Sequence, residues 1–461
     1  MSSMSVSSEN ESSRHLQKLG KTEDCIQRFS QLLKRWRATE NTPLDWESVH
    51  PITSSDCYQY NDLANLSETE TRDILQTLAV VKLNGGLGTS MGCKGPKSLI
   101  PVSESQCFLD CIIQQTQGLN KTFSTNIPLC LMNSISTNEQ TLTHLKKNST
   151  DLSIHHFLQN QFPRLLATTK HPFQHQDPNK SQENDYPPGH GDIYHGLLDS
   201  GLLEQLDKQG IQYLFISNSD NLAAEADPKI LAHLVKEQIP FLMEVCKRSP
   251  SDRKGGSLRK DSKGQFQLLE IAQVPTEHQN DFMDTSQFSL FNTNNIWVHI
   301  PTLKKHLEQN TLLLDIIENY KEIDGQKVLQ LETAMGAAIS AIEGACLLEV
   351  PRSRFFPIKT TADYLLLRSS LVAIKNGCLE QKKQTLPKLE LSAPFTDIDS
   401  VLKHIHFPLN LEGLKHLSLA GDVYIEAEVQ FKNTVTINIP EGEKMQIEKG
   451  RIIDNVDLYK T

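Results

Sequence analysis

The sequence predicts an α/β protein with a mostly parallel sheet, followed by a C-terminal parallel β-helix. Three observations carry this expectation. The glycine-rich stretch Leu83-Asn84-Gly85-Gly86-Leu87-Gly88-Thr89-Ser90-Met91-Gly92-Cys93-Lys94-Gly95-Pro96-Lys97-Ser98 follows the apolar run Leu78-Ala79-Val80-Val81, which reads as a buried strand feeding a sharp loop. Beyond it, short apolar runs alternate with helical periodicity, the pattern of a sheet with its ligands at the carboxyl ends of the strands. Near the C-terminus Val423, Val429 and Val435 recur every six residues, as do Ile425, Phe431 and Ile437, and Ile447 and Ile453 repeat the interval. Such recurrence marks a stacked β-helix, although two ordinary hairpins would give similar spacing.

Taken in order, Met1 to Ser13 is Ser-rich and lacks the apolar core of a secretory signal. Leu16 to Trp36 has helical spacing, with Cys25, Phe29, Leu32, Leu33 and Trp36 on one face. Trp46 to Thr77 reads as loops and one helix, so residues 1–75 form a helical segment without evident chemistry. In residues 76–370, strands are expected at Ile127–Met132, Tyr213–Ile216, Phe241–Val245, Phe288–Ile300 and Ala345–Val350. Helices are expected at Glu139–Lys147, Leu222–Lys236 and Thr302–Tyr320. The polar stretch Lys170–Pro188 is a long loop, and loops of that length are functional or disordered. Residues 371–461 are the expected β-helix domain.

Composition narrows the class. A chain of 461 residues accommodates two or three domains. Its net charge of −10 argues against a general nucleic-acid or anionic-membrane binder, and no apolar run approaches the ~20 residues of a membrane span. Nine cysteines without a C-x-x-C pair read as reduced thiols, for which the cytoplasm is the expected compartment. Cys107 and Cys111, four apart, read as one helix face rather than a metal pair.

The loop carries the chemistry. Glycines let backbone N–H groups approach a phosphate or a flat base, and Lys97 can meet the same anion. Two familiar loops fail. A dinucleotide fingerprint would need glycine at Met91, and Pro96 separates Gly95 from Lys97 and Ser98, which excludes a P-loop. The whole stretch instead resembles the nucleotide loop of eukaryotic-type UTP–glucose-1-phosphate uridylyltransferases, L-N-G-G-L-G-T-x-M-G-C-x-G-P-K-S. Further matching segments extend the resemblance from about Thr77 to Thr361. They are Phe157–Arg164, Pro187–Asp192, Ser217–Asn221, Lys254–Gly256, Glu270–Pro275, Phe291–Asn295 and Pro351–Thr360.

Each segment has its own chemical logic. His190 stands between Gly189 and Gly191 and can donate to a phosphate or sugar oxygen, though such a histidine is also an ordinary loop residue. Asp220, after a strand, suits either Mg²⁺ or a helix N-cap. Asn292 and Asn294 fall on one face of an extended segment and Asn295 on the other, and amides with Glu270 suit sugar hydroxyls. Arg352 and Arg354 are either phosphate contacts or structural.

The resemblance implies a Rossmann-like, glycosyltransferase-A-like nucleotidyltransferase domain and a β-helical tail through which homo-oligomers can form. It implies the reaction of UTP with glucose 1-phosphate to give UDP-glucose and diphosphate, with Mg²⁺ and without nucleic-acid or membrane partners. Lys97 and Lys359 are then catalytic. Leu83, Asn84, Gly85, Gly86, Gln159, Gly189 and Asp220 join them at the nucleotide, and Gln159 reads the uracil edge. His190, Asn218, Ser219, Asp220, Glu270, Asn292 and Asn294 serve the sugar phosphate together with Gly85 and Gly86. Asp220 holds the metal. The family pattern has an apolar residue where Ser219 stands. An amino-sugar or broader-range enzyme would carry a basic residue near Thr89-Ser90-Met91, and a silent UDP-sugar sensor would not need both lysines.

Overall fold

The computed structural model describes residues 3–39, 44–148, 150–249, 252–261, 263–383 and 385–459. Met1 and Ser2 of the Ser-rich stretch lie outside them, as do Lys460 and Thr461. The chain forms two units: Met1–Ala79, Phe157–Ile216 and Pro228–Val350 make the first, and Val80–His156, Ser217–Asp227 and Pro351–Thr461 the second. Among the described residues no helix is long and apolar enough to cross a membrane.

In the first unit the predicted Leu16–Trp36 stretch is two helices, Ser3–Lys18 and Glu23–Thr39, broken at Gly20 with φ +70°. The second helix opens on Glu23 and Asp24, where its dipole favours negative charge. It buries Cys25, Ile26, Phe29, Leu32, Leu33 and Trp36 against Phe162, Leu165, Tyr186, Leu329 and Leu331. The N-terminal helices are therefore part of this unit's core. Its sheet runs in the order Tyr58–Gln59, Cys346–Glu349, Phe241–Lys247, Leu290–His299, Tyr213–Asn218. The first two junctions are parallel, whereas Leu290–His299 is antiparallel to both its neighbours. The sheet is mixed.

Two predicted helices are shorter than their apolar spacing suggests. Thr302–Tyr320 is a helix only from Ile300 to Glu308. Asn310 turns to φ +53°, and Ile316–Ile323 is a strand paired antiparallel with Gln326–Thr333. The turn between them holds Asp324 and Gly325, both at positive φ, as a tight hairpin requires. Leu222–Lys236 becomes a helix only at Pro228, where the missing N–H costs nothing. The Lys170–Pro188 loop is pinned by a short helical turn at Pro178–Asn184 and by pairing of Asp185–Tyr186 with Phe162–Pro163.

The strand Leu78–Asn84, in the second unit from Val80 on, is buried along its length and pairs in parallel with Leu129–Asn133. Helices Phe108–Phe123 and Ile135–Lys147 belong to the same unit. In the C-terminal part Lys388–Leu391, Asn410–Ala420, Gln430–Asn438 and Ile452–Tyr459 form one parallel sheet, and Asp422–Ile425 pairs in parallel with Lys444–Ile447. Val423, Ile425, Val429, Phe431, Val435, Ile437 and Ile447 are all buried. Val423 lies against Met445 and Phe431 against Ile453, a displacement of 22 residues in each case. The six-residue interval links one strand to the next between Ile425 and Phe431 and between Ile447 and Ile453 but lies within a single strand between Phe431 and Ile437, and the 22-residue interval pairs strands in parallel.

One buried charge sets the position of the Ser217–Asp227 segment. Lys82 is 1% exposed, and its Nζ donates to Ser217 Oγ at 2.7 Å and to the Ala224 carbonyl at 2.8 Å. Charge-assisted hydrogen bonds of this kind contribute about 1.5–3 kcal/mol each, and a partner left buried alone is penalised. Lys82→Met should therefore lower unfolding free energy by about 2–4 kcal/mol, read from denaturant midpoints. A midpoint equal to wild type would show that the segment is held by other contacts.

Candidate active site

The glycine loop of the second unit doubles back on itself. Gly88 donates its N–H to the Gly95 carbonyl at 3.1 Å, and its own carbonyl accepts from Met91 and Cys93 at 2.9 Å. The turn Thr89–Met91 ends at Gly92, φ +73°, where an added Cβ would stand 2.3 Å from Asp397 Cβ. Met91 is fully buried and anchors the turn. The result is that the Lys97 N–H reaches the Gly86 carbonyl at 3.0 Å, returning the lysine to the strand end.

Around that point the predicted residues take distinct places. Leu83 is buried, and its carbonyl accepts the Ser219 N–H at 3.2 Å. Asn84 turns its amide inward, donating to Asn133 Oδ1 at 2.7 Å and Thr141 Oγ1 at 3.0 Å. Gly85 is half-buried and Gly86 exposed, so this part of the loop presents bare backbone. Asn218 is half-buried and the Ser219 side chain buried. Lys97 Nζ stands 3.1 Å from Asp220 Oδ2. The Asp220 carbonyl accepts the Ile358 N–H at 3.0 Å, and Asn221 Oδ1 accepts that of Phe356 at 2.9 Å. These bonds bring the Pro351–Thr360 segment to the aspartate, with Lys359 next in the chain and exposed.

Asp220 Oδ1 is buried and has no hydrogen-bond partner. A carboxylate with one oxygen neutralised by lysine and the other bare suits a hard divalent cation such as Mg²⁺. The two arginines separate from this cluster. Arg354 is buried, donates to the Glu225 carbonyl at 2.9 Å and pairs with Asp227 at 3.4 Å, while Arg352 lies over the Phe355 ring. Arg354 is structural.

The first unit gathers the remaining candidates. Gln159 Nε2 donates to the Gly189 carbonyl at 2.7 Å. Gly189 has φ +81°, and a Cβ there would lie 2.4 Å from the Thr333 carbonyl oxygen, so only glycine fits. His190 Nδ1 accepts the Met335 N–H at 3.1 Å, which leaves the ring proton on Nε2. Burial pushes the imidazole down to about 4. At neutral pH His190 is thus an uncharged donor with a fixed tautomer.

Glu270 and the asparagines complete this group. A Cβ on Gly256 would lie 2.5 Å from Glu270 Oε1, so the glycine leaves room for that carboxylate. Asn292 Nδ2 donates to Asn294 Oδ1 at 2.8 Å, and the Asn294 N–H donates to Asn292 Oδ1 at 2.8 Å. The extended geometry expected here is interrupted: the register slips between Glu244 and Val245, and Asn294 has φ +58°. The bulge re-aims these two amides. Asn295 goes elsewhere, donating to Glu244 Oε2 at 3.1 Å, where Trp297 Nε1 also donates to Oε1 at 2.9 Å.

Sequence reasoning missed Lys82, the inward role of Asn84 and the Thr333–Met335 backbone. A lysine embedded in an apolar run was a signal for the first. The last offered none, because it acts through main-chain atoms.

The chain resembles known proteins over nearly its full length. Residues 26–432 match a family model described as UTP–glucose-1-phosphate uridylyltransferase. A curated relative of that name from Solanum tuberosum is 41% identical over 440 residues, covering 93% of this chain and 91% of its own. One from Hordeum vulgare is 40% identical, covering 93% and 92%. Among solved structures, a mutant UDP-glucose pyrophosphorylase from Leishmania major in complex with UDP-glucose superposes with a TM-score of 0.87 at 32% identity, covering 99% of both chains. A UDP-glucose phosphorylase from Trypanosoma brucei gives 0.85 at 33% identity, covering 98% of this chain and 99% of its own.

The depressed His190 pKa has a sign. Between about 6.5 and about 4 the unfolded chain binds the proton and the folded one does not, so protonation of the unfolded chain progressively favours unfolding as pH falls through that window. His190→Gln should flatten that part of the stability profile, narrowing the wild-type loss between pH 7 and pH 4.5 in urea midpoints. Identical pH dependence in the two proteins would contradict the neutral assignment.

Proposed function

The chain belongs to the UTP–glucose-1-phosphate uridylyltransferase family, and from this we propose that it converts UTP and glucose 1-phosphate to UDP-glucose and diphosphate. The observation that carries the reading is the Lys97–Asp220 contact at the foot of the glycine loop, with an unpaired carboxylate oxygen beside it. The attacking phosphate oxygen of the sugar is already ionised at neutral pH, so no general base is needed. Rate acceleration then rests on positioning and on neutralising charge around the α-phosphorus.

In the second unit, Gly85 and Gly86 offer backbone to the uridine, while Leu83 and Asn84 hold them in place. Lys97 and Lys359 supply positive charge to the phosphates, and Asn218 and Ser219 edge the sugar side. Asp220 would hold Mg²⁺ through Oδ1; when bound, the ion neutralises phosphate oxygens. In the first unit, Gln159 spends one N–H on Gly189, leaving its second N–H and its carbonyl for the uracil edge. His190 donates through Nε2 to the sugar phosphate. Glu270, Asn292 and Asn294 match hexose hydroxyls that both give and accept hydrogen bonds.

The finer structural readings belong here too. The parallel C-terminal ladders and their 22-residue displacement support a β-helix domain over residues 371–461, a candidate surface for homo-oligomers. The nine cysteines are thiols rather than disulfides, which supports a reducing, cytoplasmic compartment.

Diphosphate release should be rapid with UTP and glucose 1-phosphate and at least tenfold slower with N-acetylglucosamine 1-phosphate. Release with the amino sugar alone would overturn the sugar assignment, and UDP-glucose binding without turnover would favour a sensor. Chelation of divalent ions should abolish release, and Asp220→Asn should raise the Mg²⁺ concentration needed for half-maximal rate about tenfold or more, since losing even an outer-shell partner costs about that much. An unchanged Mg²⁺ requirement would remove Asp220 as the ligand.

A further inference from the structure

The sixteen-residue helix Phe108–Phe123 begins beside the last turn of helix Ile135–Lys147, and a cluster of metal-ligating side chains fills the junction. Cys107 is the N-cap residue. Its backbone N–H donates to Asp110 Oδ2 at 2.8 Å. His144 Nε2 stands 2.7 Å from Asp110 Oδ1 and 3.6 Å from Cys107 Sγ. One donor atom from each residue lies within 4.8 Å of the other two.

We propose that Cys107, Asp110 and His144 form a binding site for a borderline-soft divalent cation of the Zn²⁺ class, with water as the fourth ligand. The sulfur–nitrogen separation already fits such an ion. Zn–S and Zn–N bonds of about 2.3 and 2.05 Å at a tetrahedral angle separate sulfur and nitrogen by about 3.6 Å, the separation observed. The corresponding N···O distance is about 3.3 Å, so the His144–Asp110 contact must open by roughly 0.6 Å. Both of those side chains are about one-fifth exposed, on the terminal turns of their helices, and they leave the ion a route to the buried sulfur. A thiolate, an imidazole and a carboxylate favour Zn²⁺ over Mg²⁺ or Ca²⁺, which take oxygen ligands. Binding replaces the thiol proton, which passes to solvent.

The site is separate from the Asp220 cluster but supports the same loop. One turn before His144, Thr141 accepts the Asn84 amide at 3.0 Å. Gln140 Oε1 lies 2.3 Å from where a Cβ on Gly95 would stand. An ion at this junction would therefore fasten the helix against which the glycine loop rests.

Co²⁺ is the probe, because a cobalt–thiolate bond has a charge-transfer band and tetrahedral cobalt has intense visible bands. Titration of the full chain in Mg²⁺ buffer should give both bands, saturating at one ion per chain and displaced by Zn²⁺. Cys107→Ser should abolish the charge-transfer band, His144→Gln should weaken binding at least tenfold, and Asp220→Asn should leave the titration unchanged. Circular dichroism establishes that each variant is folded. Absence of the thiolate band in wild type, or its persistence in Cys107→Ser, would overturn the site and leave the cluster as a hydrogen-bonded helix cap.

Discussion

The contact between Lys97 and Asp220 is the constraint on which the rest of the second unit's site depends. A lysine thirteen residues beyond the end of its strand reaches an aspartate from a separate segment only if the intervening chain folds back on itself. The Gly88–Gly95 bond, the buried Met91 and the left-handed Gly92 all serve that return. The aspartate has to be held too. Lys82 grips the segment from beneath, and Arg354 binds its far end through the Glu225 carbonyl and Asp227. Two buried cations thus set the position of one carboxylate, which in turn faces a third.

The first unit solves a related problem by other means. Its polar groups are aimed by backbone irregularity rather than by charge. A glycine at positive φ presses against Thr333, a bulge turns Asn294, and a main-chain N–H fixes the His190 tautomer. Each device places a neutral donor or acceptor at a set orientation, as recognition of a base edge or a hexose requires. The charged groups proposed to act on phosphate lie in the second unit, whereas the groups proposed to read base and sugar are divided, with Gly85, Gly86, Asn218 and Ser219 in that unit and Gln159, Glu270, Asn292 and Asn294 in the first.

Much of this was legible because it is written locally. The glycine loop, the Pro187–Asp192 turn and the Asn292–Asn295 cluster are contiguous, and contiguity is what a single sequence displays. The strands at 213, 241 and 290 announced themselves by apolar β-branched and aromatic runs. The helix expected to run to Tyr320 failed because Leu312, Leu313 and Leu314 keep an apolar signal going after Asn310 has turned the chain, and only the Asp324-Gly325 pair hints at a hairpin. Arg354 could not be told from a phosphate ligand, since its partners lie well over a hundred residues away. The bulge at Asn294 was likewise hidden, because it is defined by the neighbouring strand's register.

The most direct test of the account is the kinetics of Lys97→Ala. If Lys97 neutralises charge that develops at the α-phosphorus, kcat should fall by about two to three orders of magnitude, with KM for UTP changed far less and the fold intact. If kcat is retained while KM rises, Lys97 serves ground-state binding alone, and the central role given to its contact with Asp220 is contradicted.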